Sequence, residues 1–521
     1  MNTPANGSES NYWINVAAQN IANHYSEDKI VVSSGISPSA SYHIGHFREI
    51  LTADALTWGV NQVAGKSATH IHVVDNFDPL RKRYDFLPEK FEEFVGRPIC
   101  LIPDPFDCHE TYAEHFYKEF EKSAQQMGIF PDQVIRGYED LYRAGKMTEV
   151  IEQVLTNVEA IRQVFEQQSN RKLEADWTPV MVLDEQDHFS NARLSSWDKT
   201  TQTIEGIDYT AGRAKLNWRL DWPARWSVLG VMVEPFSHQE HGAAGGSYDT
   251  GVAFSKKVFA NEPPIPGVQY GNIHLIGDNK KMSSSKGNLI TPQQALSIMP
   301  PEVLRYFVVK SRPDRTLYFD PGLGIFNLIN EFADVEQAVA ADQPADFAEA
   351  YNFAVAAIAD KHMTAAVSTI PMAHLVTSYQ SAQGEADTAL EILRRTGYLD
   401  QVKNQHDIIV RQFEYIRQWL DNYAPENIKF AVLKKLPALE LESAVDEFLA
   451  KLAERLEQGD FAGQTIHDAV YETAVAQELK PAQAFKALYQ LFIGRDSGPK
   501  IGYFLSSLDR DFVLARLRRE A

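Results

Sequence analysis

Short apolar runs alternate with amphipathic stretches along the first part of the chain. Residues 12–25 have helical periodicity, and Lys29–Ser34 is apolar enough to form a buried strand. A helix is predicted from His46 to Trp58, and a second strand, Thr69–Val74, ends just before Asp75. Strands that alternate with helices in this way indicate a doubly wound parallel sheet, whose ligands bind at the carboxyl ends of the strands.

The middle of the chain has two further patterns. From about residue 110 to 170 the periodicity is helical, as in Glu149–Leu155, and we interpret this region as an insertion between two halves of the sheet domain. The apolar run Trp226–Val233 then predicts a strand that restores the sheet and leads to His241.

The character of the chain changes between Ser311 and Gly324, where proline and glycine interrupt the pattern. Almost everything beyond this point is amphipathic helix. One apolar stripe is conspicuous, and we interpret it as packing; its members are Leu441, Val445, Phe448, Leu449, Leu452 and Leu456.

Length and composition limit the class of protein. A chain of 521 residues is too long for a single core and predicts about three domains. The only cysteines, Cys100 and Cys108, are too few for a disulfide framework and do not form a CxxC zinc pair. No basic leader with an apolar segment and no long apolar run is present, so we expect a cytoplasmic protein.

The formal net charge of −20 argues at first against a nucleic-acid partner. Binding depends on where positive charges cluster, however, and the tail concentrates several arginines. This basic tail either contacts nucleic acid or is a solvated helix end that the helix dipole favours. It comprises Arg495, Lys500, Arg510, Arg516, Arg518 and Arg519.

Two short motifs carry the chemistry. The tetrad His43-Ile44-Gly45-His46 follows the first strand and opens a helix, where imidazoles and free backbone amides suit an anionic group. The run Lys281–Asn288, Lys-Met-Ser-Ser-Ser-Lys-Gly-Asn, combines ammonium groups, hydroxyls and a glycine in a loop suited to gripping a polyphosphate. Together, in this order, they indicate chemistry at the α-phosphate of ATP.

These motifs resemble those of class I aminoacyl-tRNA synthetases, and further segments resemble the class I lysyl-tRNA synthetases in particular. The similarity extends from about Trp13 to the C-terminus. The segments that carry the finer resemblance are Asp75–Lys82, Trp218–Trp226, Glu240–Asp249 and Gly494–Lys500.

The resemblance implies an α/β fold: a Rossmann-like, doubly wound catalytic domain with a helical insertion, followed by an all-α anticodon-binding domain. We expect residues 1–110 to form its first half and 111–215 the insertion that receives the tRNA acceptor end. Residues 216–324 would form the second half, and 325–521 the helical domain.

The implied reaction joins L-lysine to ATP as lysyl-adenylate and then transfers lysine to the 3′ end of lysine tRNA. His43 and His46 would stabilise the transition state, while Lys281 and Lys286 hold the departing pyrophosphate together with Mg²⁺. The resemblance assigns to ATP binding Ser37, Pro38, Ser39, His43, Gly45, His46, Gly245, Gly246, Asp249, Lys281, Met282, Ser283, Ser284, Ser285 and Lys286. It assigns to lysine binding Gly35, Ser37, Trp218, His241 and Tyr270.

Aromatic faces suit the lysine stem, but Trp218 and Tyr270 could equally be core residues. Asp75, Asp78 and Arg81 follow a strand end and are further candidates, with no single acid identified for the ammonium. In the helical half, Arg411, Arg417 and Trp419 are candidate tRNA contacts, since basic groups beside an aromatic suit unstacked bases. The alternative for Trp419 is a core position.

The chain departs from the family pattern at Ala40, where glycine is usual, and at Gly271, where an acid is common. It also lacks the cysteine pairs that archaeal relatives carry at about 170–215, so we expect no structural zinc and no other metal held by the protein. We expect a monomer. The alternatives are a paralogue that activates another amino acid or charges another acceptor, and a catalytically inactive RNA-binding protein.

Overall fold

The computed structural model describes residues 11–169, 173, 177–276, 282, 289–358 and 365–520. The chain divides into two compact units. The first comprises Met1–Gln294, Arg305–Phe319 and Asn352–Ile358, and the second Ala295–Leu304, Asp320–Tyr351 and Ala359–Ala521. Among the described residues, no helix is both long enough and apolar enough to cross a membrane.

Up to residue 319, strands and helices alternate. The helices are α1 Trp13–His24, α2 Ile44–Gln62, α3 Tyr112–Gln126, α4 Thr148–Thr156, α5 Val158–Ser169, α6 Trp218–Leu229, α7 Ser247–Lys257, α8 Pro292–Leu296 and α9 Pro301–Val309. The strands are β1 Lys29–Ile36, β2 Ser67–Val74, β3 Gln133–Arg136, β4 Val180–Leu183, β5 Phe189–Asn191, β6 Trp197–Asp198, β7 Thr203–Ile204, β8 Ile207–Asp208, β9 Ala214–Leu216, β10 Phe236–Ser237, β11 Gln269–Tyr270, β12 Ile273–Leu275 and β13 Leu317–Phe319. Segments of 3₁₀-helix lie at Glu89–Phe94 and Leu194–Ser196, and a π-helical turn lies at Gly137–Tyr142.

The main sheet is parallel and reverses its winding direction at β1. On one side the order is β1-β2-β3, with Lys29 opposite Ser67 and Ile71 opposite Gln133. On the other side, single parallel bridges join Val32 to Val233 and Val233 to Ile265, and β10 pairs in parallel with β11. The predicted doubly wound sheet is therefore confirmed, and its switch point lies at the carboxyl end of β1.

An apolar layer packs the first two helices against this sheet. Ala18 and Ile21 of α1 and Leu56 of α2 are fully buried against Val32 and Val233. The first two predicted helices and strands correspond to α1, β1, α2 and β2; the start of β1 and the end of β2 are as predicted, and the other boundaries differ by one to four residues.

Two local predictions were wrong. The region predicted to be helical between 110 and 170 contains β3, a four-residue strand of the main sheet, whose shortness hides any strand periodicity. The run Trp226–Val233 is not one strand, because Trp226–Leu229 completes α6 and Gly230, at φ 61°, ends that helix. A short apolar run does not by itself distinguish a strand from a buried helical turn.

The chain beyond residue 320 is helical, as predicted. Its helices are α10 Gly324–Ala340, α11 Ala348–Ala356, α12 Met372–Ser381, α13 Ala386–Leu393, α14 Leu399–Asn404, α15 His406–Asn422, α16 Ser443–Gln458, α17 Gly463–Ala476, α18 Pro481–Ile493, α19 Ile501–Ser507 and α20 Arg510–Leu517, with a kink at Arg394–Tyr398, where Gly397 has φ 100°. The predicted stripe forms part of the core of the second unit: its residues on α16 are buried, and Leu441 packs against them half-buried.

Candidate active site

His43 and His46 lie at the switch point, where the chain leaves β1 and begins α2. His43 is the N-cap residue, and its Nδ1 accepts a hydrogen bond from Gly45 N at 3.1 Å. The Nδ1 of His46 accepts from His43 N at 3.2 Å, and the two rings stack with centroids 3.8 Å apart. Because both Nδ1 atoms are acceptors, each neutral ring carries its proton on Nε2 and can donate it to a phosphate oxygen.

The structure brings the second motif to the first through Met282. Its side chain is buried, and its Cε lies 3.6 Å from the position that a Cβ on Gly45 would occupy. A backbone bond from Ile44 N to Ile290 O, 3.0 Å long, also ties the end of this segment to the start of α2. Lys281, Ser283, Ser284, Ser285 and Lys286 lie outside the described residues.

A small cavity of about 80 Å³ opens beside the histidine pair. Its lining residues come from α2 and from the ends of the second half of the sheet: His43, Gly45, His46, Glu49, Ser237, Glu240, Tyr270, Asn272 and Ile273. Tyr270 is buried here, away from the larger cavity that holds the other predicted lysine-binding residues.

The larger cavity, of about 250 Å³, adjoins it and brings together Gly35, Ser37, Trp218 and His241. Trp218 is 38% exposed, so it is a surface wall of the cavity, whereas Trp226 is 1% exposed and belongs to the core. Asp75, Asp78 and Arg81 also line the cavity. The sequence therefore identified much of this wall, although strand and helix ends from distant parts of the chain assemble it.

Two glutamates that sequence reasoning missed lie on this cavity wall. Glu49 lines both cavities; its Oε1 accepts from Gly35 N at 2.8 Å and its Oε2 from the Tyr270 hydroxyl at 3.1 Å. Glu234 is buried and accepts from the Trp226 indole. Burial raises the pKa of Glu49 to about 8 and also raises the pKa of Glu234. Glu49 stands three residues after His46, on the same helix face, and this spacing could have identified it.

The aspartates on the wall are already occupied by cations. Lys215 Nζ lies 2.7 Å from Asp78 Oδ1 and 3.3 Å from Asp75 Oδ1, and Arg225 bridges Asp75 and Asp221 at 3.3 Å each. Although burial opposes it, the two cations lower the pKa of Asp75 to about 2. Among the residues that the structure describes, neither Glu49 nor Glu234 has a cation within 4.0 Å, so these glutamates are the acids available to a cationic ligand.

The predicted ATP-binding glycines form a tight turn before α7. Gly245 has φ 70°, and Asp249 accepts its backbone N–H at 2.9 Å. A Cβ on Gly246 would come within 2.6 Å of Ala243 O, so only glycine fits. Between β1 and α2, Ser37 lines the larger cavity, and the main-chain oxygen of Ser39 accepts a hydrogen bond from the Tyr112 hydroxyl at 2.6 Å.

The departure at Gly271 has a steric reason. A Cβ at this position would lie 2.8 Å from both the carbonyl carbon and the oxygen of Arg315, so an acidic side chain cannot be placed without moving the backbone. The neighbouring Glu49, which accepts the Tyr270 hydroxyl, supplies a carboxylate from another element.

A second cluster of ligand atoms lies apart from these cavities, between β2 and α3. One ligand atom from each of Asp104, Cys108, His109 and His115 lies within 4.8 Å of the others. Cys108 Sγ is 3.2 Å from Nδ1 of both histidines, and His115 Nδ1 is 3.3 Å from Asp104 Oδ1. Four such atoms suit a tetrahedral zinc ion, so this geometry argues against the expectation of no zinc, which considered only cysteine pairs at 170–215.

The candidate tRNA contacts have different environments. Arg417 is exposed and pairs with Glu414 at 3.0 Å, while Arg411 donates to Ala366 O at 2.6 Å. Trp419 is 2% exposed and donates to Pro321 O at 3.0 Å. It is therefore a core residue, which was the alternative, and its buried ring is not placed to stack on a base.

Most of the basic tail serves the fold. Arg516 is fully buried and donates to three main-chain carbonyls, and Arg510 likewise donates to carbonyls at the end of α16. Arg518 pairs with Glu457 at 2.7 Å, and Arg519 pairs with Asp446 at 3.1 Å. Neither interpretation of the tail, a nucleic-acid patch or a merely solvated helix end, describes these arginines.

A doubly wound parallel sheet with His-Ile-Gly-His capping the helix at its switch point is the arrangement expected of a class I aminoacyl-tRNA synthetase. Residues 11–358 match the family model described as "tRNA synthetases class I (K)", and the chain belongs to that family. Residues 385–521 match the model of an anticodon binding domain.

Full-length relatives support this assignment. A lysine–tRNA ligase of Archaeoglobus fulgidus is 36% identical over 97% of this chain and 99% of its own length. One from Methanosarcina barkeri is 36% identical over 97% of each chain. One from Pyrococcus horikoshii is 32% identical over 98% of this chain and 99% of its own.

Proposed function

We propose that this protein is a lysine–tRNA ligase, which activates L-lysine with ATP and transfers it to the 3′ end of lysine tRNA. The observation that carries the proposal is a pair of buried glutamates, Glu49 and Glu234, which pair with no cation among the described residues and line the cavities beside His43 and His46. The relatives, named lysine–tRNA ligases, match over nearly the whole chain.

In the first step, the lysine carboxylate attacks the α-phosphorus of ATP and the bond to the bridging oxygen of pyrophosphate breaks. Negative charge grows on the α-phosphoryl oxygens, and the Nε2–H groups of His43 and His46 donate to them. Lys281 and Lys286 bind the departing pyrophosphate, whose Mg²⁺ is coordinated largely by substrate oxygens and water. A ribose hydroxyl of the tRNA then attacks the adenylate carbonyl and loses its proton, and the acyl–phosphate bond breaks to release AMP.

The two glutamates divide the two ammonium groups of lysine between them. Glu49 lines both cavities and therefore lies nearest the reacting carboxylate, where it accepts the α-ammonium group. Glu234 lines only the larger cavity, beside Trp222, and accepts the ε-ammonium, while the face of Trp222 covers the methylene stem.

ATP–pyrophosphate exchange, measured with each of the twenty amino acids and with ornithine, tests this proposal. Lysine should support exchange far better than arginine, glutamate or ornithine. Glu234→Gln should raise the KM for lysine by about 30-fold or more, because removing one partner of a buried charge pair costs about 2–5 kcal/mol. Inhibition by norleucine, which lacks the ε-amine, should change very little in the same variant.

Exchange driven mainly by another amino acid would refute the assignment and favour the paralogue. Exchange with lysine but no charging of lysine tRNA would favour a different acceptor. No exchange with any amino acid would favour the catalytically inactive RNA-binding alternative.

The proposed role of the run Lys281–Asn288 in binding pyrophosphate is tested separately. Lys286→Ala should slow adenylate formation by about 10²–10³-fold, by analogy with the deletion of one transition-state donor. Transfer from preformed lysyl-adenylate should hardly change, because pyrophosphate has already left. Equal slowing of both steps would contradict this role.

We also propose the division of labour along the chain: residues 111–215 receive the tRNA acceptor end, and residues 325–521, including Arg417, contact the anticodon arm. The enzyme acts as a monomer in the cytoplasm. Light scattering of the purified protein and fractionation of cells test these two statements.

Zinc is a further proposed ligand, at Asp104, Cys108, His109 and His115. Main-chain amides orient the carboxylate: Asp104 accepts from Phe106 N at 3.0 Å, from Cys108 N at 2.9 Å and from His109 N at 2.7 Å. Although burial opposes them, these bonds lower the pKa of Asp104 to about 2, so it is an anion ready to bind metal. The ion would stabilise the segment that leads into α3.

A further inference from the structure

A cavity of about 120 Å³ lies between α2, α3 and the strands β2 and β3, and none of the roles proposed above involves it. Val73 of β2 lines the larger active-site cavity, whereas the preceding residue, His72, lines this one. Because successive residues of a strand point to opposite faces of a sheet, the two cavities lie back to back. We call the second one the rear cavity.

Aromatic rings form much of the wall of the rear cavity. The His72 ring is nearly parallel to those of Phe120 and Tyr117, with centroids 5.5 Å and 6.3 Å away. Phe130 also lines the cavity and is 66% exposed, so it marks the mouth. An apolar cavity of about 150 Å³ can hold one benzene molecule. The rear cavity therefore has the size and the flat walls that suit a single aromatic ring.

One buried polar atom in this wall lacks a partner. His72 is 1% exposed, and its Nδ1 lies 2.8 Å from Ser34 Oγ, which lies equally close to His70 Nε2. The second ring nitrogen of His72, Nε2, is buried and has no hydrogen-bond partner among the described residues. Buried polar atoms are nearly always hydrogen-bonded, so this atom indicates a place for a polar group of a ligand.

The chemistry of that polar group follows from the histidine pair. Ser34 has a single hydroxyl proton, so it donates to one histidine and accepts from the other. If Ser34 donates to His72 Nδ1, then Nε2 carries a proton and is a donor. If Ser34 accepts from Nδ1, then Nε2 is an acceptor. A ligand hydroxyl both donates and accepts, and it therefore matches either form.

The rear cavity shares two elements with the lysine site. Ser34 precedes Gly35, whose backbone N–H donates to Glu49 at 2.8 Å. Ile50, the next residue of α2, lines the rear cavity, while Glu49 lines both active-site cavities. A ligand held in the rear cavity therefore contacts the same strand and helix that position Glu49.

A chain of aromatic contacts leads from the rear cavity to the catalytic histidines. The Phe120 ring packs against Tyr42, with centroids 4.9 Å apart, and Tyr42 meets the His46 ring edge to face at 5.4 Å. Tyr42 is 4% exposed, so these rings have little freedom to move independently.

We propose that the rear cavity binds a small monocyclic phenol and that the bound phenol tightens the binding of lysine. The ring packs against His72 and Phe120, and the hydroxyl bonds to His72 Nε2. A ligand that orders β1, β2 and α2 lowers the entropic cost that lysine binding would otherwise carry. The coupling to lysine rests on the proposed function, whereas phenol binding does not.

Fluorine NMR of the full-length protein with para-fluorophenol tests the site. Ala124 lines the rear cavity and is buried, so Ala124→Leu fills the space and should abolish binding. Gln126→Leu is the matched control, because it adds the same side chain to α3 at an exposed position outside the cavity. The control should bind the probe like the unaltered protein. Absent binding in the unaltered protein, or equal binding in the two variants, would overturn the proposal.

The hydroxyl is tested with fluorobenzene, which has the ring alone. It should bind about 2- to 10-fold more weakly than para-fluorophenol, the usual effect of one hydrogen bond. This preference should vanish in His72→Phe, which keeps a ring at the position but has no nitrogen. Equal affinities of the two probes for the unaltered protein would overturn the assignment of a phenol.

Calorimetry of lysine binding, with and without saturating para-fluorophenol, tests the coupling. The probe should lower the Kd for lysine by about fivefold or more, and lysine should tighten probe binding by the same factor. Displacement of the probe by lysine would overturn the proposal, because it would place the probe in the lysine cavity. An unchanged Kd for lysine would overturn the coupling. Failure of the proposed function would appear separately, as absent lysine binding in protein that still binds the probe.

Discussion

The Tyr270 hydroxyl donates to Glu49 Oε2 at 3.1 Å and so joins β11 to the helix that carries His43 and His46. Burial raises the pKa of Glu49 to about 8, and this hydrogen bond opposes the rise because it stabilises the carboxylate. We therefore expect Tyr270 to affect lysine binding through Glu49, since it lines only the smaller cavity.

Tyr270→Phe should weaken lysine binding. Loss of a hydrogen bond to a charged group costs about 1.5–3 kcal/mol, which predicts a KM for lysine raised by roughly tenfold or more. The KM for ATP should change much less. Steady-state exchange kinetics measure both values, and equal rises would show that the tyrosine only maintains the fold.

Lysine binding should depend on pH through Glu49. In the free enzyme this carboxyl is protonated below its pKa of about 8, so a cation binds only after the proton leaves. The affinity should therefore rise as the pH rises from about 6 to about 8, approaching tenfold per pH unit for one released proton. Calorimetry in buffers of different ionisation enthalpy should detect the proton release, and Glu49→Gln should abolish it.

Lys215→Met should destabilise the protein strongly. Lys215 is buried and holds Asp75 and Asp78 together, so its removal leaves two carboxylates without their shared cation. Breaking such a buried pair costs about 3–5 kcal/mol. Chemical denaturation measures the change.

The exposed ion pair between Lys451 and Glu454 is the matched control. Lys451→Met should cost no more than about 1 kcal/mol. A comparable loss of unfolding free energy in the two variants would show that the buried cluster contributes no more to stability than a surface ion pair does.

Metal analysis of the purified protein should find one zinc per chain. A chelator should remove it and lower the melting temperature, because a ligand that binds only the folded state stabilises that state. Cobalt substitution should produce a thiolate-to-metal absorption band that disappears in Cys108→Ser and persists in Cys100→Ser. Metal-free protein with an unchanged melting temperature would refute the site.

Stability should fall at mildly acid pH through His72. Burial, reinforced by His70, lowers the pKa of His72 to about 3, so below about pH 6.5 the unfolded chain binds a proton that the folded chain does not. The free energy of unfolding should therefore fall by about 2 kcal/mol between pH 7 and pH 5 through this group. His72→Asn, which can retain a bond to Ser34, should show a smaller difference between these two pH values in chemical denaturation.

The sequence alone predicted the parallel sheet, the helical second part and the stripe on α16, because each depends on a periodicity that one element contains. It also located His43 and His46, since a strand end followed by a helix start is a local pattern. The strand β3 and the end of α6 escaped prediction, because short apolar runs look the same in strands and in buried helical turns.

Only the tertiary structure decided which charges remain available. Asp75 and Asp78 were natural candidates for the lysine ammonium, but Lys215, 140 residues from Asp75, neutralises them. Glu49 on α2 and Glu234 near β10 line the same cavity, and among the described residues no cation pairs with either. The local sequence shows which side chains can ionise. Their charge partners and their desolvation come from residues that are distant in the chain. Because partners and desolvation determine which acid can bind a cationic ligand, only the tertiary structure identifies that acid.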